Sequence, residues 1–188
     1  DFRLRKTLEK ELKDIHRETG KTFVYITHSL EEAMVMSDRI GIMREGRIVQ
    51  VGKPHEIYNE PVDKFVAQFM GEVNTLDVEA DGADRVKDLA SGMSYAVAKM
   101  PAGFTRGNLI IRPEVMKIGK GAADMPNKVE GVLFNDYALG SRIQYQVRST
   151  TTDMQWLVER LQDEPYEGGL DDTVAIGWRP EDSILVSE

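Results

Sequence analysis

The sequence predicts two structural classes in succession: an α/β segment over residues 1–73 and a small all-β barrel over residues 74–188. The α/β segment is indicated by a helix, an apolar strand and a second helix that follow one another within residues 2–37. The barrel is indicated by short alternating runs such as LIIRPE, RIQYQVR and DTVAIGW, which recur between turns. With 188 residues, the chain is long enough for one domain or for two small ones with their own cores.

The α/β segment begins with an amphipathic helix. Over residues 2–18, apolar residues recur at helical spacing among charged ones. The run Phe23–Ile26 is continuously apolar, which is typical of a strand that is covered on both faces. Ser29 followed by Glu32 is a capping-box pattern, and it predicts the next helix over residues 30–37.

A β-hairpin and two short helices are predicted next. Isoleucines and valines flank a Glu-Gly turn within residues 40–51, as in a tight hairpin. Pro54 suits the first turn of a short helix, and a second helix over residues 62–70 carries one apolar face. The change to short strands after this helix places the domain boundary near residues 71–74.

Charge and composition exclude several classes of function. The net charge is −8, and most of it lies in the second half, where an acidic surface opposes binding to a phosphate backbone. We therefore expect no nucleic-acid partner. The chain has no cysteine, and its three histidines lack metal-site spacing, so no metal site is predicted.

The tripeptide Gly20-Lys21-Thr22 is similar to the end of a phosphate-binding P-loop, but its context is wrong. A P-loop needs a second glycine five residues earlier, and that position is Ile15. A P-loop also lies between a strand and a following helix, whereas this tripeptide follows a helix and precedes the predicted strand. We interpret it as a helix end with a surface lysine.

His28 is the candidate functional residue, because it follows the predicted strand at the place where open α/β sheets bind ligands. The next helix directs its positive end toward the same place. An imidazole there can donate a hydrogen bond to an anionic oxygen without the desolvation cost of a permanent charge. The alternative is a histidine that only binds its neighbours, and the residues alone leave both interpretations open.

Residues 22–74 resemble the end of the nucleotide-binding subunit of ABC-type importers. The resemblance is carried by the strand and histidine of FVYITHSLEEA, the hairpin DRIGIMREGRIVQVG and the helix PHEIYNEP. The helix that begins DFRLR is similar to the family's D-x-x-L-R helix, in which Asp1 corresponds to the aspartate of the D-loop. The implied fold is the C-terminal end of a P-loop NTPase, the ATP-binding-cassette domain.

By this resemblance, His28 corresponds to the catalytic-site switch histidine that contacts the γ-phosphate of ATP in a closed dimer. Its role would be charge stabilisation, because phosphoryl transfer depends mainly on positioning and electrostatics. The Walker A loop, the LSGGQ signature and the Walker B strand with its glutamate do not occur in these 188 residues. We therefore expect ATP and Mg²⁺ as cofactors of the full-length protein, and no useful ATP binding or hydrolysis by this chain alone.

The second half resembles the TOBE domain, an OB-like β-barrel that many importer ATPases carry. LIIRPE, GVLFNDYALGSRIQYQVR and VAIGWRPEDSILV carry the match, and they are most similar to the spermidine/putrescine branch. Iron(III) and sugar importers share much of this pattern. The motif Arg-Pro-Glu ends two predicted strands, at residues 112–114 and 179–181. We expect Trp156 and Trp178 in the core or in a subunit contact rather than as platforms for stacking bases.

The resemblance implies a peripheral protein at the cytoplasmic face of the inner membrane, in which ATP hydrolysis drives solute uptake. Its partners would be a second copy of the subunit, membrane permease subunits and, indirectly, an extracytoplasmic solute-binding protein. The barrel would serve as a regulatory or dimer-contact domain. The alternative function is a non-catalytic module in which the barrel senses a small anion or solute.

Overall fold

The structure is a computed structural model that describes residues 2–187. The chain divides into two compact units, Asp1–Val62 and Asp63–Glu188. The second unit therefore includes the last helix before the β-rich region. The domain boundary between residues 73 and 74 is based on sequence resemblance, and it stays a prediction.

The described part of unit 1 contains three helices and one antiparallel hairpin. They are α1 (Phe2–Thr19), α2 (Leu30–Met36), β1 (Ile40–Arg44), β2 (Arg47–Gly52) and α3 (Pro54–Asn59). These elements confirm the predicted helices and the predicted hairpin. The hairpin turn places Glu45 at φ 51° and Gly46 at φ 76°, as a two-residue turn that matches the strand twist requires.

The predicted strand over Phe23–Ile26 is not formed, and the expectation of a strand covered on both faces was wrong. Residues 20–29 contain neither helix nor strand, and Val24 and Ile26 are 87% and 91% exposed. A strand must pair its backbone groups with a neighbour, and no described residue pairs with this segment. Apolar composition favours a strand only where a sheet supplies that neighbour.

Unit 2 contains a short helix and ten strands, counted over the described residues. The helix is α4 (Lys64–Phe69), whose N-cap Asp63 accepts a hydrogen bond from the Val66 N–H at 2.8 Å. The strands are β3 (Asn74–Ala80), β4 (Arg85–Asp88), β5 (Ser94–Ala96), β6 (Arg106–Ile111), β7 (Lys117–Ile118), β8 (Asn127–Ala138), β9 (Arg142–Ser149), β10 (Gln155–Leu161), β11 (Thr173–Trp178) and β12 (Ser183–Ser187). The predicted all-β character of the second half is confirmed.

The strands form two antiparallel sheets with the same internal order. One sheet runs β12-β6-β3-β4-β5, and the other, read in the matching direction, runs β7-β11-β8-β9-β10. After β6 and after β11, an Arg-Pro-Glu motif leads into a 3₁₀ turn and the chain crosses to the opposite sheet. Unit 2 therefore contains two structural repeats, residues 74–118 and 127–187, that exchange their last strands.

An asparagine at the start of each repeat binds the edge strand of the other repeat. Asn74 donates to the Leu157 carbonyl at 2.8 Å and accepts from the Leu157 N–H at 2.7 Å. Asn127 forms the same pair of bonds with Ala96, at 2.9 and 2.8 Å. Both asparagines are buried, so each carboxamide satisfies backbone groups that have no strand partner on that side.

One core cluster draws its residues from both sheets of unit 2. Trp156 and Trp178 are 2% and 0% exposed in it, with ring centroids 5.5 Å apart. The Tyr95 ring lies 5.0 Å from the Trp178 ring. The prediction that both tryptophans are core residues is confirmed, and their burial leaves no ring face for a nucleic-acid base.

Among the described helices, none has the length and apolar character needed to cross a membrane.

Candidate functional site

His28 lies in the loop that joins α1 to α2, one residue before the N-cap of α2. The backbone bends at His28, and the side chain is exposed. None of the described residues forms a hydrogen bond with its imidazole. An exposed imidazole without a hydrogen-bond partner among the described residues can donate a hydrogen bond to an oxygen of a ligand.

Glu32, in the first turn of α2, forms the centre of the polar contacts around this loop. Its carboxylate accepts hydrogen bonds from the Thr27 hydroxyl at 2.7 Å and from the Tyr25 hydroxyl at 3.0 Å. Arg5 of α1 places a guanidinium nitrogen 3.7 Å from the same carboxylate. The hydrogen bonds from Thr27 and Tyr25, and then the positive charges of Arg5 and His28, hold the pKa of Glu32 below its usual range.

The predicted capping box is formed only in part. The Glu32 N–H donates to the Ser29 hydroxyl at 3.4 Å, which confirms Ser29 as the N-cap. The Ser29 N–H, however, donates to the Thr27 hydroxyl oxygen at 2.9 Å instead of to the Glu32 carboxylate. Thr27 thus satisfies this amide and donates its own proton to Glu32, which leaves the carboxylate turned toward the loop.

A second acidic residue of α2 pairs with α1 but not with the loop. The Lys6 ammonium lies 3.1 Å from Glu31 and 3.2 Å from Glu9. The hydrogen bond with Glu31, and to a smaller extent that with Glu9, raises the pKa of Lys6 above its usual value. Because the Glu31 side chain is 72% exposed, we expect its ion pair with Lys6 to contribute little to stability.

The remaining histidines, His16 and His55, do not join this cluster. Asp1, predicted from the D-loop resemblance, lies outside the described residues. His16 lies on α1 with its ring 5.5 Å from that of Phe23, and His55 is exposed on α3. Within residues 2–187, no group of three or more His, Cys, Asp or Glu side chains could hold a metal ion.

Sequence reasoning predicts His28 as the site residue, but it does not predict Tyr25 and Thr27 as partners of Glu32. The available signal was a pair of hydroxyl side chains two positions apart, directly before the histidine. Tyr25 lies within the predicted strand over Phe23–Ile26, and Thr27 follows that strand directly. The loop brings both hydroxyls to one carboxylate instead.

The described residues can supply one contact with a nucleotide, but they do not form a complete nucleotide-binding site. The exposed His28 imidazole suits an oxygen of a terminal phosphoryl group. The described residues do not assemble a carboxylate cluster for Mg²⁺. The remaining groups that bind ATP and Mg²⁺ would have to come from outside this chain.

Comparison with known proteins identifies the class of protein. The chain matches ATP-binding subunits of ABC importers over nearly its whole length, which confirms its resemblance to the C-terminal part of such a subunit. The particular relatives are spermidine/putrescine import ATP-binding proteins, named PotA. No protein-family model matches the chain.

Three of these relatives show the extent of the match. The PotA protein of Thermobifida fusca is 37% identical over 99% of this chain and 50% of its own length. That of Trichodesmium erythraeum is 34% identical over 100% of this chain and 52% of its own length. That of Mesorhizobium japonicum is 40% identical over 71% of this chain and 38% of its own length. The chain thus spans about half the length of the curated relatives it matches.

A solved structure supports the fold of the β-rich region. The molybdate-bound form of the cytoplasmic molybdate-binding protein ModG superimposes with a TM-score of 0.50 and 11% identity, covering 62% of this chain and 96% of ModG. At this identity the likeness concerns the fold alone. It is consistent with the predicted TOBE-type, OB-like architecture.

Proposed function

We propose that the chain acts as the C-terminal portion of the ATP-hydrolysing subunit of an ABC importer for solutes of the spermidine/putrescine type. The observation that carries this proposal is the match of 99% of the chain to a PotA protein at 37% identity. The substrate class follows the names of the relatives, with iron(III) and sugars as the alternatives. The TOBE-type β domain serves as a regulatory or dimer-contact element.

In this proposal His28 binds the γ-phosphate of ATP. ATP with Mg²⁺ supplies the transferable phosphoryl group when it is bound to the complete subunit. His28 donates a hydrogen bond to a phosphoryl oxygen and stabilises the negative charge there, without acting as a base. The support in this chain is an exposed imidazole with no internal hydrogen bond among the described residues.

The proposal also assigns partners and a place in the cell. Two copies of the complete subunit enclose ATP and act on membrane permease subunits, which receive solute from an extracytoplasmic solute-binding protein. The subunit lies at the cytoplasmic face of the inner membrane. Asp1 acts as the D-loop aspartate of the nucleotide-binding site, and the 188 residues alone do not hydrolyse ATP.

The test replaces each histidine of this chain in turn in the complete subunit. We expect His28→Ala to lower kcat for ATP hydrolysis by about 100-fold or more, the range seen when one charge-stabilising donor is removed. His16→Ala and His55→Ala serve as matched controls and should retain the wild-type rate. Wild-type hydrolysis by His28→Ala would contradict the proposed role.

The substrate assignment needs a separate measurement. The complete subunit is expressed in cells that lack the ATP-binding subunit of their polyamine importer, and uptake of labelled spermidine and putrescine is measured. Restored uptake that is lost in His28→Ala supports the proposal. Uptake of iron(III) or a sugar without polyamine uptake, in cells lacking the corresponding subunits, would reassign the substrate.

A second candidate function is a module that senses a small anion or solute. It is favoured by the likeness to ModG, which is described as a molybdate-binding protein. Thermal unfolding of the chain with molybdate, phosphate or spermidine tests this function. A saturable rise in melting temperature with one of these compounds, and not with chloride at equal ionic strength, would support a sensing module.

A further inference from the structure

Glu32 connects both neighbours of His28 to the first turn of α2. Its carboxylate accepts a hydrogen bond from the Thr27 hydroxyl at 2.7 Å, and its backbone N–H donates to the Ser29 hydroxyl at 3.4 Å. Thr27 and Ser29 are also joined directly, because the Ser29 N–H donates to the Thr27 hydroxyl oxygen at 2.9 Å. The backbone of His28 is therefore held on both sides by hydrogen bonds that converge on one residue.

The same carboxylate also contacts an earlier residue of the loop and a residue of α1. The Tyr25 hydroxyl donates to it at 3.0 Å, and the guanidinium of Arg5 on α1 lies 3.7 Å away. The Glu32 side chain is only 15% exposed. Hydrogen bonds to a largely covered carboxylate are stronger than those between exposed neutral groups. Glu32 is thus the common partner of α1, the loop and α2.

Apolar packing does not hold the loop in place. The described residues of α2 include no buried side chain, and Val24 and Ile26 of the loop are 87% and 91% exposed. A backbone segment without core contacts keeps much of its conformational freedom unless polar contacts restrict it. Among the described residues, the polar contacts of Glu32 supply most of this restriction, beside the edge contact of the Phe23 ring with His16.

We propose that Glu32 is a positioning residue for His28, and that it orients the imidazole outward toward a phosphoryl oxygen by holding Thr27 and Tyr25. This inference rests on the proposed function of His28. Glu32 itself does not contact the nucleotide. Its neighbour Glu31 binds Lys6 and, among the described residues, has no contact with the loop, which makes it a matched control.

The test measures kcat and KM for ATP hydrolysis by variants of the complete subunit. We expect Glu32→Ala to lower kcat by about 5- to 100-fold while KM for ATP changes by less than about twofold, because misplacing a reacting group by about 1 Å can cost about 100-fold in rate. Thr27→Val, which removes a single hydroxyl, should show a smaller loss of the same kind. Glu31→Ala should retain the wild-type kcat.

A double variant separates positioning from a general structural effect. If Glu32 acts only through the imidazole, Glu32→Ala combined with His28→Ala hydrolyses ATP at the rate of His28→Ala alone. An additive loss, or an equal loss in Glu31→Ala, would overturn the inference. If Glu32→Ala does not fold, the same cycle is measured with Thr27→Val.

The series also distinguishes the two proposals. If His28→Ala hydrolyses ATP at the wild-type rate, the proposed function of His28 fails, and the positioning role fails with it. If His28→Ala is impaired but Glu32→Ala and Thr27→Val are not, only the positioning role fails.

Discussion

The two units of the chain differ in what holds them together. Unit 2 buries both tryptophans and a continuous set of aliphatic side chains between its two sheets. In the described part of unit 1, the buried apolar residues are Ile40, Ile42 and Ile57 in the hairpin and α3, and Pro61 after α3. Helix α1 leaves Leu8 and Ile15 of its apolar stripe 49% and 46% exposed.

This difference shows which interactions determine the conformation of each unit. In unit 2, close packing relates the two sheets, so changes in side-chain volume should matter most. In the α1–α2 region of unit 1, hydrogen bonds and ion pairs around Glu32 determine the path of the loop. The candidate site therefore depends on polar contacts, and a substitution there can change function with little effect on stability.

The largest effect on stability is expected from the core of unit 2. Trp178→Ala should lower the free energy of unfolding of this unit by about 3–5 kcal/mol, because it removes the centre of the aromatic cluster and leaves a cavity. The measurement is urea unfolding followed by the fluorescence of Trp156.

The matched substitution in unit 1 is Leu8→Ala. Because this side chain is already 49% exposed, the change should lower the free energy of unfolding by no more than about 0.5 kcal/mol, as for other surface substitutions. A loss comparable with that of Trp178→Ala would show that the comparison between the units is wrong.

An intermediate effect is expected at the two asparagines that join the repeats. Asn74→Ala and Asn127→Ala should each lower the free energy of unfolding by about 1–3 kcal/mol for every buried backbone group left without a partner. Because the two sites are equivalent in geometry, the two losses should be similar. Hydrogen exchange measures the loss of the hydrogen bonds to the Leu157 and Ala96 amides. Unchanged protection of these amides in both variants would contradict the prediction.

An effect confined to alkaline pH is a loss of stability through Tyr95. Burial, and then the charge of Asp88, raise the pKa of Tyr95 to about 12, above its usual value of 10.0. The unfolded chain therefore loses this proton at lower pH than the folded chain does. The contribution of Tyr95 to stability is complete below pH 10 and declines as the pH rises toward 12.

The measurement for Tyr95 is the urea midpoint as a function of pH, compared between the wild-type chain and Tyr95→Phe. The phenylalanine variant should lose less stability between pH 10 and 12, since it lacks the titrating hydroxyl. Equal pH profiles for the two proteins would show that this tyrosine does not titrate differently on unfolding.

Much of the local structure could be predicted because its signals are local. The helical spacing of α1, the N-cap Ser29 and the Glu-Gly turn of the hairpin each act within a few residues. The strand over Phe23–Ile26 could not be decided in this way, since pairing depends on a neighbour that need not be close in sequence. His28 is predicted from its local position and its family resemblance, whereas the hydrogen bond of Tyr25 depends on the path of the whole loop.

The sequence by itself determined the family, the succession of an α/β segment and a β-rich domain, and the position of His28 before α2. Only the tertiary structure decided that the two repeats of unit 2 exchange their last strands, and that Asn74 and Asn127 bind the opposite edge strands. It also decided that the Glu32 carboxylate accepts hydrogen bonds from the loop. The physical reason is that patterns of side chains specify local conformation and burial, whereas the partner of a hydrogen bond or an edge strand is selected only when distant segments meet.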